Sequence, residues 1–315
     1  MNHTRTQTYS PWPHRVALST AAATLLLIFV GGLVTNTGAG LAVPDWPTTF
    51  GYNMFLYPWS QMVDGIFYEH SHRLIGSLVG LLTVALALVL WWKEPAGSTR
   101  RLGIIAVGAV IVQGVLGGLR VILTPTGGEL ALIHGVLAQA FFALIVSVAV
   151  LTSGEWKQRP GTLMTADDKM IRCLCLLAVG AVCLQIFFGG MLTHIGDWIR
   201  AHLLCAGVVA VFTCLLALRI LRGHSDQAQL VRPAIVLIGL LGLQLLLGLG
   251  AYVNRFTSFE IPFATVSRLA LPTVHRMTGS LMLATCIILT LRAYRMLRYG
   301  QTVANRGLLV DRVGA

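Results

Sequence analysis

Four histidines recur at matching places: His72, His134, His202 and His275 each stand near the start of a long apolar run. His72 is followed by Arg73-Leu74-Ile75-Gly76-Ser77-Leu78 and His275 by Arg276-Met277-Thr278-Gly279-Ser280-Leu281, so the position repeats with its surroundings. Neutral imidazole ligates haem iron axially, and two imidazoles from different helices can meet at a common centre inside a bundle. Zinc takes four ligands, or three with an open position, and neither pair of histidines is surrounded by a Cys or Asp cluster. A proton relay is a further use of intramembrane histidines, although it does not account for a duplication with flanking Gly and Arg.

One acidic residue breaks the repeat. Glu69 lies three residues before His72, on the same helix face, whereas His134, His202 and His275 have Ala131, Ile199 and Pro272 at that spacing. Its carboxylate could meet the edge of a ligand centred on His72; it also reads as a helix-start carboxylate favoured by the macrodipole. Arg73, Arg120, Arg200 and Arg276 fall at the same end of the runs, where Arg pairs bidentately with carboxylates such as haem propionates or snorkels to lipid headgroups. His70 and His194 are expected at the surface or in loops, with His194 kept as a second candidate. His3, His14 and His224 are expected in solvated segments.

The elements that must position these residues are membrane helices. The chain has 315 residues, 56% hydrophobic and 11% charged, with a mean hydropathy of +0.76, against about 25% charged in soluble domains. Eight runs meet the roughly 20-residue length of a membrane span: 16–35, 66–92, 101–123, 130–152, 171–193, 198–222, 233–252 and 272–297. The net charge of +11 is spread over short groups between the runs, which argues against nucleic acid as a partner. Seventeen of the 23 Lys and Arg residues lie at one set of alternate ends, so both termini are expected to be cytoplasmic. The first run lacks a clear cleavage site and reads as a retained helix, with a bacterial inner membrane as the expected location. Cys173, Cys175, Cys183, Cys205, Cys214 and Cys286 fall in or at the ends of the runs and read as small apolar side chains.

The halves repeat each other. Phe29-Val30-Gly31-Gly32-Leu33-Val34-Thr35 in the first span matches Phe187-Phe188-Gly189-Gly190-Met191-Leu192-Thr193 in the fifth. Gln113 and its following glycines in the third span match Gln244-Leu245-Leu246-Leu247-Gly248-Leu249-Gly250 in the seventh. A four-helix repeat returns the chain to its starting side, so the halves share one orientation. The expected fold is an all-α polytopic membrane protein, eight transmembrane helices arranged as two pseudo-symmetric four-helix bundles. Its expected parts are an N-terminal arm (1–15), a first bundle (16–152) with a long external loop (36–65), a linker (153–170), a second bundle (171–297) and a cytoplasmic tail (298–315). The loop holds Asp45 and Trp46 amid turn residues, and loops of this length tend to be lids or binding elements.

Glu69-His70-Ser71-His72-Arg73-Leu74-Ile75-Gly76, with the three later histidines and the Gly-Gly helix ends, resembles haem A synthase over residues 16–297. The resemblance implies oxidation of the C8 methyl group of haem O to a formyl group, giving haem A for terminal oxidases. It further implies a catalytic Glu69, substrate haem between His72 and His134, and a permanent haem b (iron protoporphyrin) on His202 and His275. The implied partners are haem O, an unidentified electron donor, haem O synthase or oxidase assembly factors, and the lipid bilayer. Many family members carry a cysteine pair in the first external loop; residues 36–65 here contain none. A cytochrome b-like electron-transfer protein with the same histidines, and a repeat-built transporter, are the competing readings.

Overall fold

The computed structural model describes residues 9–123, 127–158, 169–259 and 263–313. Its helices are α1 (Trp12–Asn36), α2 (Asp64–Lys93), α3 (Ser98–Ile122), α4 (Gly127–Thr152), the single-turn α5 (Gly154–Lys157), α6 (Lys169–His194), α7 (Ile199–Gly223), α8 (Ala228–Phe256) and α9 (Ala264–Val313). Among the described residues, eight of these are long and apolar enough to cross a membrane, and the chain is a multi-pass membrane protein. At about 1.5 Å per residue, even the 25-residue helices exceed a hydrocarbon core of about 30 Å.

Two of the expected spans are longer than the sequence suggests. Helix α8 begins at Ala228 rather than 233, and α9 begins at Ala264 rather than 272, with Pro233 and Pro272 inside them. A proline removes one backbone N–H, a loss that membrane helices tolerate when neighbouring groups serve the freed carbonyl. The α9 backbone also continues through the stretch expected to be tail. Residues 1–8 of the expected arm, with His3, and residues 159–168 of the expected linker lie outside the described residues.

Helices α1 to α4 pack in a ring, α1 on α2 and α4, and α3 on α2 and α4; α6 to α9 form a second ring in the same neighbour order. This is compatible with the pseudo-symmetric bundles expected from the repeat. The rings meet where α9 touches α1 and α4, and where α4 touches α6.

Close packing is concentrated at one end of each ring. In the first, Ala17, Leu86, Leu90, Ala106, Ile145 and Val148 are buried together; in the second, Ile171, Leu216, Ile220, Leu230, Leu237 and Leu289 are. These residues come from the starts of α1, α3, α6 and α8, the ends of α2, α4 and α7, and the middle of α9. The four histidines occupy the opposite end. The apolar cores clamp each bundle at one rim and leave the other rim to be shaped by glycine and polar side chains.

Candidate functional site

The rings bring the histidines together in pairs of nearly equal geometry. His72 of α2 and His134 of α4 have ring centres 6.4 Å apart with planes at 66°; His202 of α7 and His275 of α9 are 6.2 Å apart at 67°. A metal–imidazole bond is about 2 Å and a ring nitrogen sits about 1 Å from the ring centre, given bonds near 1.3 Å. One ion between two imidazoles therefore separates their centres by about 6 Å. Both pairs satisfy that requirement before any ligand is considered. Among the described residues no third His, Cys, Asp or Glu joins either pair, so the donor set suits an ion whose remaining ligands come from a macrocycle, as in haem.

A glycine on the neighbouring helix makes room for each ring. A Cβ on Gly31 of α1 would lie 3.1 Å from His72 Nε2, on Gly117 of α3 3.5 Å from His134 Cε1, on Gly189 of α6 3.2 Å from His202 Cε1, and on Gly248 of α8 3.0 Å from His275 Cε1. Gly31, Gly189 and Gly248 thus set how near α1, α6 and α8 come to their imidazoles, while the approach at Gly117 is ordinary packing. Three rings are also held by glutamine. Gln185 Nε2 lies 3.2 Å from His202 Nε2, and Gln244 Nε2 lies 3.2 Å from His275 Nε2 while its backbone oxygen lies 3.1 Å from Nδ1. The Gln113 amide, its nitrogen toward the ring, donates to His134 Nδ1 at 2.9 Å.

The second pair also carries buried polar atoms without partners: His202 Nδ1, Gln185 Oε1 and Gln244 Oε1. Such atoms are costly unless something satisfies them. Paired imidazoles at metal-bridging distance and glycine-cut walls stand in both halves and the orphaned atoms in the second; His72 with His134 and His202 with His275 are the residues that would hold a haem in each.

Glu69 sits beside the first pair, 5% exposed. Its Oε2 accepts from Val43 N at 2.9 Å and its Oε1 from Arg73 Nη2 at 2.9 Å. Arg73 also donates to the backbone oxygens of Val43 at 3.1 Å, Asp45 at 2.7 Å and Thr48 at 2.9 Å. The Glu69–Arg73 pair therefore fastens the long loop to α2, and the Arg73 fork is turned to the loop. Arg276 donates to Thr35 Oγ1 at 3.3 Å, across the α1–α9 seam. Arg120, partly buried, lies against Gly40 of the loop, and Arg200 is exposed at the start of α7.

The loop is itself folded. Asp45 Oδ1 accepts from Phe50 N at 2.7 Å, and Oδ2 from Gly51 N at 2.8 Å and from the Thr48 hydroxyl; Gly51 takes φ +77°, which glycine adopts freely. Partial burial of Asp45 favours its protonated form, but the bonds from Gly51, Thr48 and Phe50 prevail and hold its carboxyl below the usual range. The Trp46 ring lies on α3 at Gly118, where no Cβ would fit.

His70 is not at the surface as the sequence suggests. It is 1% exposed, with Nδ1 3.1 Å from Thr49 Oγ1 and its ring 5.1 Å from that of Tyr57; the folded loop buries it. His194 is partly buried at the end of α6. His14 and His224 are also not simply solvated: His14 Nδ1 lies 2.8 Å from Ala149 O, and His224, 8% exposed, meets Gln227. All six cysteines are free, in or at the ends of spanning helices.

Residues 14–201 match the COX15-CtaA family model, described as cytochrome oxidase assembly protein. Among similar proteins, the Heme A synthase of Shouchella clausii is 34% identical over 134 residues, covering 42% of this chain and 43% of that protein. The Heme A synthase of Alkalihalophilus pseudofirmus is 30% identical over 190 residues, 60% of each chain. That of Symbiobacterium thermophilum is 30% identical over 199 residues, 61% of each. The matches span about half the length of these curated relatives.

Proposed function

Because the chain belongs to the COX15-CtaA family of cytochrome oxidase assembly proteins, we propose that it is a haem A synthase, oxidising the C8 methyl group of haem O to a formyl group. The observation that carries this reading is the pair of near-equal bis-imidazole sites, of which, among the described residues, only the first has a buried carboxylate a single turn away. In this reading haem O binds as substrate between His72 and His134, and a resident haem b between His202 and His275. A bound haem b supplies one-electron transfer.

The chain's own residues do the remaining work. His72 and His134 orient the substrate ring, and the loop from Val43 to Gly51 closes over it. Glu69, fixed by Arg73 and Val43 N, is the acceptor nearest His72 along α2 and takes the proton-handling role, since a methyl-to-formyl oxidation must release protons as well as electrons. Arg120 of the first bundle and Arg276 of the second are assigned to the propionates. We place the protein in a bacterial inner membrane, with both termini on the cytoplasmic side as the Lys and Arg distribution favours.

The test is chromatography of haems extracted from cells supplying haem O, for the wild type and Glu69→Gln. The variant should retain its resident haem and make at least tenfold less haem A. Undiminished haem A would remove Glu69 from the chemistry; wild-type protein that binds two haems and makes no haem A would return the electron-transfer reading.

A further inference from the structure

From Trp46 to Val63 the long loop carries no charged side chain. Its tip is apolar and uncovered: Phe55, Leu56 and Trp59 are 64%, 75% and 78% exposed, and Phe50, Tyr52 and Val63 are exposed as well. A contiguous apolar surface of this kind marks an interaction site. The backbone of the tip meanwhile serves itself. Thr49 N donates to Tyr52 O at 3.1 Å and Tyr52 N to Thr49 O at 3.0 Å; Leu56 N donates to Asn53 O at 2.9 Å, Gln61 N to Pro58 O at 3.0 Å and Met62 N to Trp59 O at 3.1 Å. Asn53 Oδ1 accepts from Phe55 N at 2.9 Å. Two single-turn 3-10 helices, Met54–Leu56 and Trp59–Gln61, are the result. Peptide groups paired internally in this way can leave water without being left unsatisfied.

What the tip covers fixes its place. Thr49 and Tyr57 lie on His70, and the Tyr57 ring in turn meets those of Phe50 and Tyr52. Leu81 and Leu88 stand eleven and eighteen residues beyond His70 on α2, about three and five whole turns, so all three point the same way. Leu81 and Leu88 are exposed along a membrane-spanning helix, and this face of α2 is therefore turned out of the bundle toward lipid. Phe67, exposed near the start of α2, begins the same stripe. The tip thus sits on the lipid-facing side of α2 at the histidine end.

We propose that the tip from Phe50 to Trp59 is seated in the headgroup and acyl boundary of the leaflet at the histidine end, as an anchor that holds the loop against α2. Trp and Tyr favour that layer, and Trp, Phe and Leu are the side chains that in-plane elements bury in it. A protein partner would find no charge on this surface to pair with, whereas a lipid boundary needs only apolar area. The loop is then gripped from two sides, by Arg73 within and by the bilayer without. The anchor stands whether or not the histidine pairs bind haem.

The experiment reconstitutes the full-length protein into phosphatidylcholine vesicles whose chains are either unmodified or brominated near the headgroup, and compares the tryptophan emission of the wild type with that of Trp59→Phe. The difference between the two is the share of Trp59. With the ring buried at the boundary, that share should fall about twofold in the brominated vesicles, and acrylamide added to the water should quench it only weakly. Phe55→Trp should add emission with the same two properties, which keeps the test open if Trp59→Phe does not accumulate. A Trp59 or Trp-at-55 share that bromine leaves unchanged overturns the anchor. If acrylamide also quenches that share freely, the patch lies in water and is left for a protein partner.

Discussion

Arg73 serves the carboxylate of Glu69 and three loop carbonyls at once, which only a planar fork of donors can do. Arg73→Lys keeps the charge and loses the fork. It should destabilise the loop closure by about 2 kcal/mol, seen as faster proteolysis and amide exchange between Val43 and Gly51 with the helices unchanged. Asp45 gives the same loop a pH limit. Its folded-state pKa is depressed, so its contribution is full above the unfolded carboxylate value and is lost as pH falls through the lower, folded one. Exchange protection at Phe50 and Gly51 should therefore persist to mildly acid pH and collapse below it, and Asp45→Asn should flatten that dependence. The sequence marks Asp45 as turn chemistry and Glu69 as the odd acid of the repeat. It does not reveal His70, because that residue's burial is created by Thr49 and Tyr57, which are distant in sequence and brought over it by the loop.

Among elements, what matters is how near α1, α3, α6 and α8 come to the imidazoles of their neighbours, and glycine sets that distance. A Cβ on Gly248 would fall 3.0 Å from His275 Cε1, tighter than side chains ordinarily pack, whereas one on Gly117 would make an ordinary 3.5 Å contact with His134 and one on Gly114 would touch nothing within 4 Å. Gly248→Ala should displace the His275 ring and lower haem retention about tenfold. Gly117→Ala should bind nearly normally, and Gly114→Ala should gain thermal stability, as removal of a helix glycine favours the helix by roughly 1 kcal/mol. Haem content per chain and Tm read both effects. The apolar runs made the helices legible, and the four matched histidines made the pairing legible. The Gln-x-x-x-Gly spacing was equally visible at Gln113, Gln185 and Gln244, but its meaning was not: only packed helices show that the glutamine and the glycine face the same ring.

At the scale of the whole molecule, two rings with the same neighbour order are clamped at the end away from the histidines, and meet along the α1–α9, α4–α9 and α4–α6 contacts. Both imidazole pairs thereby lie toward the rim where α1 and α9 are tied by Asn36 Nδ2 donating to Thr273 Oγ1 at 2.8 Å. Shared geometry and unequal surroundings lead to unequal consequences when a ligand is removed. His202→Ala or His275→Ala empties the site whose rings Gln185 and Gln244 hold, and should abolish the haem that survives purification. His72→Ala or His134→Ala strikes the site with Glu69 and the loop; it should leave the resident haem in place and stop haem A formation. The absorption spectrum and haem-to-protein ratio of the four purified variants check this directly. Equal haem loss in all four would mean that the bundles hold their macrocycles alike, and the difference at Glu69 would then have to serve something other than a division between substrate and cofactor.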